Sequence, residues 1–315
     1  MKKIISILLV ATLALGLCAC GGSAQKAVKL TTGGESGTYY AFGGVIAQVI
    51  TDNVDKVKAV ANTSGASGEN CRLVNKGEAQ LGIVQNDVLS YAYQGINTFA
   101  KDGAMTNLAT VATLYPEVVQ IVVAADSGIN TIADMKGKAI SVGDAGSGVE
   151  TNAIQTFEAY GMTFNDIDAR HLSFKESSQA VQDKQIEGFF CVAGVPNTAI
   201  QELSTTRKIK VISIEPAQAD AMIAKYPFYG KVDIKKDVYN TEEDGHTLAV
   251  MATLICSKDA DETLIYNITK SLFENKPQLE AHAKGKEVTL EGAVKSISID
   301  IHPGAAKYYK EKGVL

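Results

Sequence analysis

At 315 residues, 46% hydrophobic and 21% charged, the chain has the size of one large domain or two ordinary ones, with apolar material for two cores. A formal charge of −5 and a pI near 5.5 leave no basic surface for nucleic acid, so that class of partner is excluded. The lysines are scattered and read as a solvated surface.

In chain order, Lys2 and Lys3 precede an apolar run of fourteen residues, Ile4 to Leu17. That run is short for a membrane span and fits the core of a secretory signal. The "LCACGG" that follows resembles the cleavage site of a bacterial lipoprotein, with Leu17 and Ala19 before Cys20 and Gly21 after it. The resemblance implies a signal peptide over 1–19, lipidation of Cys20, a tether over 20–26 and a place outside the cytoplasm, anchored to the cell membrane. A plain signal peptide cut nearby is the alternative. Cys71, Cys191 and Cys256 lie in apolar segments at spacings too wide for a metal knuckle, and are expected as buried free thiols.

Beyond the tether, strands and helices alternate. "AVKLTTGG" leads to a helix from about Thr38, with Phe42, Val45, Ile46, Val49 and Ile50 on one face. "KVKAVANTSG" reads as strand and turn before the helix "ASGENCRLVNKG", which Gly77 stops. "AQLGIVQND" and "VLSYAYQG" repeat the unit. A second series follows "LYPEVVQIVVAADSGI". It runs through "KGKAISVGDAGSGVETNAIQTFEAYG", "ARHLSFKESSQAVQDKQ", "IEGFFCVAGVPNTAIQEL" and "KIKVISIEPAQADAMIAKY". "HTLAVMATLICS" is a long β-prone stretch, and helices are expected to dominate from Asp261 onward. Such alternation implies βαβ units around a mostly parallel sheet.

In open α/β sheets, ligands bind where the carboxyl ends of the strands meet their connecting turns. Those turns are small and polar here: Gly33 to Thr38, Asn62 to Gly65, Gln85 to Asp87, Gly143 to Gly148 and Ala193 to Asn197. Small residues let backbone N–H groups approach a ligand, and each helix N-terminus adds partial positive charge. Several converging termini can hold a carboxylate without an arginine, and none of the three arginines lies in these turns. A nucleotide P-loop is excluded because "GGESGTYY" and "GDAGSGVE" lack the Lys-Ser/Thr pair. G-x-S-x-G and G-x-G-x-x-G are absent as well. Bare tight turns with no ligand remain the alternative.

Read together, "TTGGESGTYYAFGG", "ANTSGASGENCRLVNKGEAQLGIVQNDV", "LYPEVVQIVVAADSGINTIADMKGKAISVGDAGSGVETNA", "EGFFCVAGVPNTAI" and "LIYNITKSLFENK" resemble, in order, the TAXI receptors of tripartite ATP-independent periplasmic (TRAP) transporters. The resemblance implies a two-lobed fold of the type II periplasmic-binding-protein kind, each lobe a mostly parallel sheet flanked by helices. Lobe one would span 27–117 plus 257–315 and lobe two 118–256, with crossings near Val118 to Val123 and Ala249 to Ile255. It also implies a non-enzymatic receptor that delivers a small carboxylate or amino acid, such as glutamate, glutamine or 2-oxoglutarate, to an integral membrane permease. No cofactor or metal is implied. The implied ligand contacts are Ser36, Gly37, Thr38, Tyr39, Thr63, Ser64, Gln85, Asp87, Tyr115, Ser147, Gly148 and Thr151, with Asp87 or Glu117 as acceptor for an amino group.

Structural roles compete at several of these positions. Tyr39 and Tyr40 point apart, so one belongs to the core. Ser147 is placed to cap the following helix, with Glu150 completing a capping box. Asp87 is placed to cap "VLSYAYQG". His171, His246, His282 and His302 lie far apart, without metal-ligand spacing. Two other function classes share the pattern. One is an enzyme on the same fold, such as a transferase or pyrimidine synthase, which would need a reactive Cys or His in a cleft turn, Cys191 being the only candidate near one. The other is a sensory lipoprotein that binds the same solute.

Overall fold

A computed structural model describes residues 25–315, so Cys20, the signal segment and most of the tether lie outside the described residues. The first series comprises β1 (Lys26–Thr31), α1 (Thr38–Asn53), β2 (Val57–Asn62), α2 (Ser67–Asn75), β3 (Leu81–Gln85) and α3 (Asn86–Gln94). The chain therefore enters the sheet at Lys26, the last residue of the expected tether. Helix α1 forms because Phe42, Ile46, Val49 and Ile50 recur at helical spacing and are all buried. Gly95, left-handed at φ 68°, ends α3, and a side chain there would strike the backbone of Ala104.

A strand of seventeen residues, β4 (Leu108–Ala124), leads into the second series. This contains β5 (Ala139–Ser141), α4 (Gly148–Ala159), β6 (Asp168–Arg170), α5 (Phe174–Gln182), β7 (Gly188–Ala193), α6 (Thr198–Thr206), β8 (Ile209–Val211), α7 (Pro216–Lys225) and β9 (Gly230–Ile234). The long strand β10 (Gly245–Ser257) returns the chain to α8 (Glu262–Glu274), α9 (Lys276–Leu279) and α10 (Pro303–Glu311).

The strands join in the order β2-β1-β3-β10-β4-β7-β5-β6, with β8 on β4 and β9 on β10. Each end is a parallel βαβ unit, β2-β1-β3 and β7-β5-β6. The long strands β4 and β10 run antiparallel to each other and to their neighbours, because one carries the chain outward and the other returns it. The α/β architecture is the expected one. Residues 280–302 depart from the expected helices: they form turns, including a single 3₁₀ turn at Ala283–Lys286. Bonds from Thr110 N to Asp300 O and from Thr113 Oγ1 to Lys295 O tie that segment to β4.

Two sets of buried side chains divide along the long strands. Leu114, Tyr115, Ala252 and Leu254 pack with β1, β3, α1 and α8. Val118, Val119, Ala249 and Val250 pack with the elements between β5 and β9. Pro116 and Glu117 fall between the two sets, and Pro116 lies opposite Met251 where the β4–β10 register shifts. Proline has no N–H to donate, so the ladder is weakest at this point. The three thiols are buried and free, as expected.

Candidate functional site

A cavity of about 520 Å³, measured to include its mouth, lies between the two sets of cores. Its wall takes Gly33, Gly34, Ser36, Gly37, Thr38 and Tyr39 from the β1–α1 turn. Ala66 and Ser67 come from the start of α2, and Gln85 from the start of α3. The opposite side supplies Asp144, Ser147, Gly148 and Val149 at α4, Ser173 and Phe174 at α5, and Val192 and Ala193 at the end of β7. Five helix N-termini thus face one space.

The sequence favours this convergence locally. Gly37 precedes α1 in an extended conformation and caps it with no side chain, leaving the first-turn N–H groups to the cavity. Ala66 does the same for α2, at the strained φ of 63°. Ser147 caps α4 by accepting from Glu150 N at 3.1 Å while it lines the wall, so the two roles coexist. The Glu150 carboxylate accepts from Gly146 N at 2.6 Å, one residue short of the reciprocal capping box. Ser173 forms a full capping box with Glu176.

Among the described residues no Lys, Arg or His lines the cavity, but two carboxyl groups do. Glu117 is 1% exposed, and Tyr39 Oη donates to its Oε2 at 2.5 Å. Burial pushes its carboxyl up to about 8; the Tyr39 bond and Lys284 pull the other way, and Asp87 adds to the rise. Asp144 is also raised, first by burial and then by Glu176. Lys284 is not among the lining residues: its Nζ pairs with Glu287 at 2.7 Å and sits 5.8 Å from the Tyr115 ring centre.

The two sides touch around the cavity. Asn197 Nδ2 donates to Ser36 O at 3.2 Å, and Asn152 Nδ2 donates to Asp87 Oδ2 at 3.0 Å. Gln155 Nε2 donates to Tyr91 Oη at 3.0 Å, and Tyr229 Oη donates to Gln155 Oε1 at 2.6 Å. Glycines also allow close approach between the two sides. A Cβ on Gly68 would stand 2.1 Å from Gly146 O, and one on Gly148 would stand 1.9 Å from Gln85 Oε1.

Of the residues singled out from sequence, Ser36, Gly37, Thr38, Tyr39, Gln85, Ser147 and Gly148 are brought together on the wall. Tyr39 is the buried tyrosine and Tyr40 the exposed one. The other five lie off the wall. Thr63 is exposed, and Ser64 Oγ is taken by Thr32 O and Asn70 Oδ1, so that turn presents Ala66 and Ser67 instead. Asp87 does not cap α3; it lies inside the first turn, where its carboxylate meets Asn152. Tyr115 is wholly buried, its ring 5.6 Å from that of Phe42. Thr151 Oγ1 bonds back to Ser147 O within α4. Ser173 and Phe174 were missed, although "SFKE" carries a capping-box spacing that marks a helix start.

Cys191 is wholly buried in β7, and burial drives its thiol well above the usual range, which removes the thiolate that nucleophilic chemistry needs. His302 Nδ1 accepts from Gly304 N, and His282 Nδ1 accepts from Lys284 N. Among the described residues, no three His, Cys, Asp or Glu side chains group as a metal site, and no helix is long and apolar enough to cross a membrane.

Residues 30–313 match the family model described as the NMT1-like family. Several solved structures share the fold. The alkanesulfonate-binding protein SsuA from Xanthomonas axonopodis pv. citri, bound to MOPS, is 15% identical with a TM-score of 0.54, over 91% of this chain and 85% of that one. A protein from Bordetella bronchiseptica is 15% identical with a TM-score of 0.55, over 91% and 83%. A Xanthomonas citri protein bound to ATP is 8% identical with a TM-score of 0.53, over 91% and 96%. At these identities the likeness carries the fold alone, an α/β fold shared with an alkanesulfonate-binding protein.

Proposed function

Because this chain belongs to the NMT1-like family, with a fold shared by solute-binding proteins, we propose that it is an extracytoplasmic solute receptor that closes two lobes on a small carboxylate or amino acid. The observation that carries this reading is the cavity between the two sets of cores, lined by five helix N-termini and no basic side chain. Each terminus favours an anion by roughly 0.3–1 kcal/mol, and more when partly buried. The lobes would be 27–117 plus 257–315 and 118–256, meeting where the packing changes partners near Pro116 and Met251. The TAXI resemblance adds delivery to a TRAP-type permease, and "LCACGG" adds a lipid anchor at Cys20. Mass spectrometry of the native N-terminus tests the anchor: an unmodified start downstream of Cys20 contradicts it.

A thermal-shift screen of amino acids and dicarboxylates identifies the solute, since a ligand at a hundred times its Kd adds roughly 2.7 kcal/mol. Calorimetric titration then tests the site. Ser36→Ala should lower affinity about tenfold to over a hundredfold by removing one hydrogen bond to a charged group. Gly37→Val should bind still more weakly, because a Cβ there already stands 3.1 Å from Gly34 O and its branches reach toward the cavity. Unchanged affinity with lowered melting in both variants places the site elsewhere.

Closure should also depend on pH through Asp87. Burial raises its carboxyl from 3.8 to about 6 in the closed form, so closing favours the protonated state. The sign follows: closure is unpenalised below about pH 4, weakens as pH rises to about 6, and is level above. Two units correspond to roughly 3 kcal/mol, an upper bound of about a hundredfold in affinity. Asp87→Asn, which mimics the protonated form, should bind the solute more tightly than the parent at pH 7 and match it near pH 4. Titrations of both proteins across that range check this, and a constant ratio of affinities contradicts it.

A further inference from the structure

We propose that Glu117 is the specificity determinant of the cavity, admitting solutes that carry a protonated amine beside their carboxylate. This rests on the receptor reading above and narrows it. Glu117 stands on β4 between the two sets of cores and lines the cavity, yet it is almost wholly withdrawn from solvent. Its Oε2 is held by the Tyr39 hydroxyl. Gln85 Oε1, on the same wall, is a buried acceptor with no hydrogen-bond partner among the described residues. A buried carboxyl without a countercharge stays neutral, and an ammonium group is the countercharge that lets it ionise.

The other charged and titratable groups around it do not supply that countercharge. Tyr39 from α1, Tyr115 from β4 and Cys191 from β7 are neutral groups whose own ionisation Glu117 opposes. Asp87 from α3 carries the same sign as Glu117. Lys284 attracts Glu117 from a distance but is spent on Glu287. Asp144, the other acid on the wall, is only half buried and shares its surroundings with Glu176 and His171. Helix N-termini therefore supply the carboxylate end of the cavity, and Glu117 with Gln85 supplies the amine end. A dicarboxylate brings no countercharge to ionise Glu117 and no proton for Gln85 Oε1.

The test pairs L-glutamate with glutarate, L-glutamine with glutaramate, and L-leucine with 4-methylpentanoate, each differing only in the amine. Titration calorimetry at pH 7 should show the amine-bearing member of a pair binding at least tenfold tighter. Glu117→Gln should reduce that preference to less than about threefold, mainly by weakening the amino acid about ten- to a hundredfold. Tyr39→Phe, which frees Oε2, should give a smaller loss. The Tyr39 variant also serves if the Glu117 variant fails to fold, since the amine preference must fall there too. Equal or tighter binding of the amine-free members to the parent overturns this proposal and leaves the receptor reading standing. So does a preference that survives Glu117→Gln. Binding of neither class overturns the receptor reading and this proposal together.

Discussion

Gly68→Ala should weaken solute binding roughly five- to a hundredfold, on the 1–3 kcal/mol scale of overpacking a tight contact. A Cβ at this position would stand 2.1 Å from the carbonyl oxygen of Gly146 and 3.3 Å from its carbonyl carbon. Both are backbone atoms of the turn ahead of α4, which is held by Glu150 and capped by Ser147, so they have little room to yield. The clash exists only when the two sides meet. In an opened, ligand-free molecule the same change replaces a glycine in the first turn of α2 by the best helix former, which stabilises by at most about 0.5–1 kcal/mol. Affinity should therefore fall while ligand-free melting holds or rises slightly. A steep drop in ligand-free melting, with affinity per folded molecule unchanged, would show that the contact is permanent and that the lobes do not open there.

The second large effect concerns what holds the first cavity turn in place. Asn70 lies inside α2, an unfavourable helix position for asparagine, and is fully buried. Its Oδ1 accepts from Thr31 Oγ1 at 2.7 Å and Ser64 Oγ at 2.6 Å. Its Nδ2 donates to Thr32 O at 2.5 Å and Ile83 O at 2.7 Å. One side chain thus ties β1, the β2–α2 turn and β3 together beneath the cavity. Asn70→Leu keeps the approximate volume and strands several buried polar groups, each costing about 1–3 kcal/mol. We expect a loss of roughly 3–5 kcal/mol, and a melting point lower by about ten degrees. A drop of only a degree or two would mean that the network is replaced by water or local bonds at no cost.

Much of the fold could be read from sequence because its signals are local. The apolar spacing from Phe42 to Ile50 places α1, and Gly77 and Gly95 mark helix ends through their positive φ. The antiparallel course of β4 and β10 was not readable. Strand β4 is buried along nearly its whole length, so it shows no polar alternation from which pairing could be inferred. β9, a short exposed edge strand, gave no signal either. At the site, turns were more legible than side chains. The first turn and Ser147–Gly148 follow from a glycine run before a helical pattern. Thr63 and Ser64 were three residues early because Ala66 takes a positive φ and folds the polar turn back onto Thr32 and Asn70. Asp87 faces across to Asn152 only because α3 starts two residues sooner than the polar pattern implies.

The most direct measurement of the central claim is a crystal structure of the protein with the tightest solute from the thermal screen. It should show a carboxylate seated against the N-terminal turns of α1 and α4, within hydrogen-bond reach of Ser36 and Ser147, with Gly68 closed on Gly146. Density for the solute outside the Gly37–Gly148 cavity, or inside it with no anionic group at those two helix starts, would contradict the account.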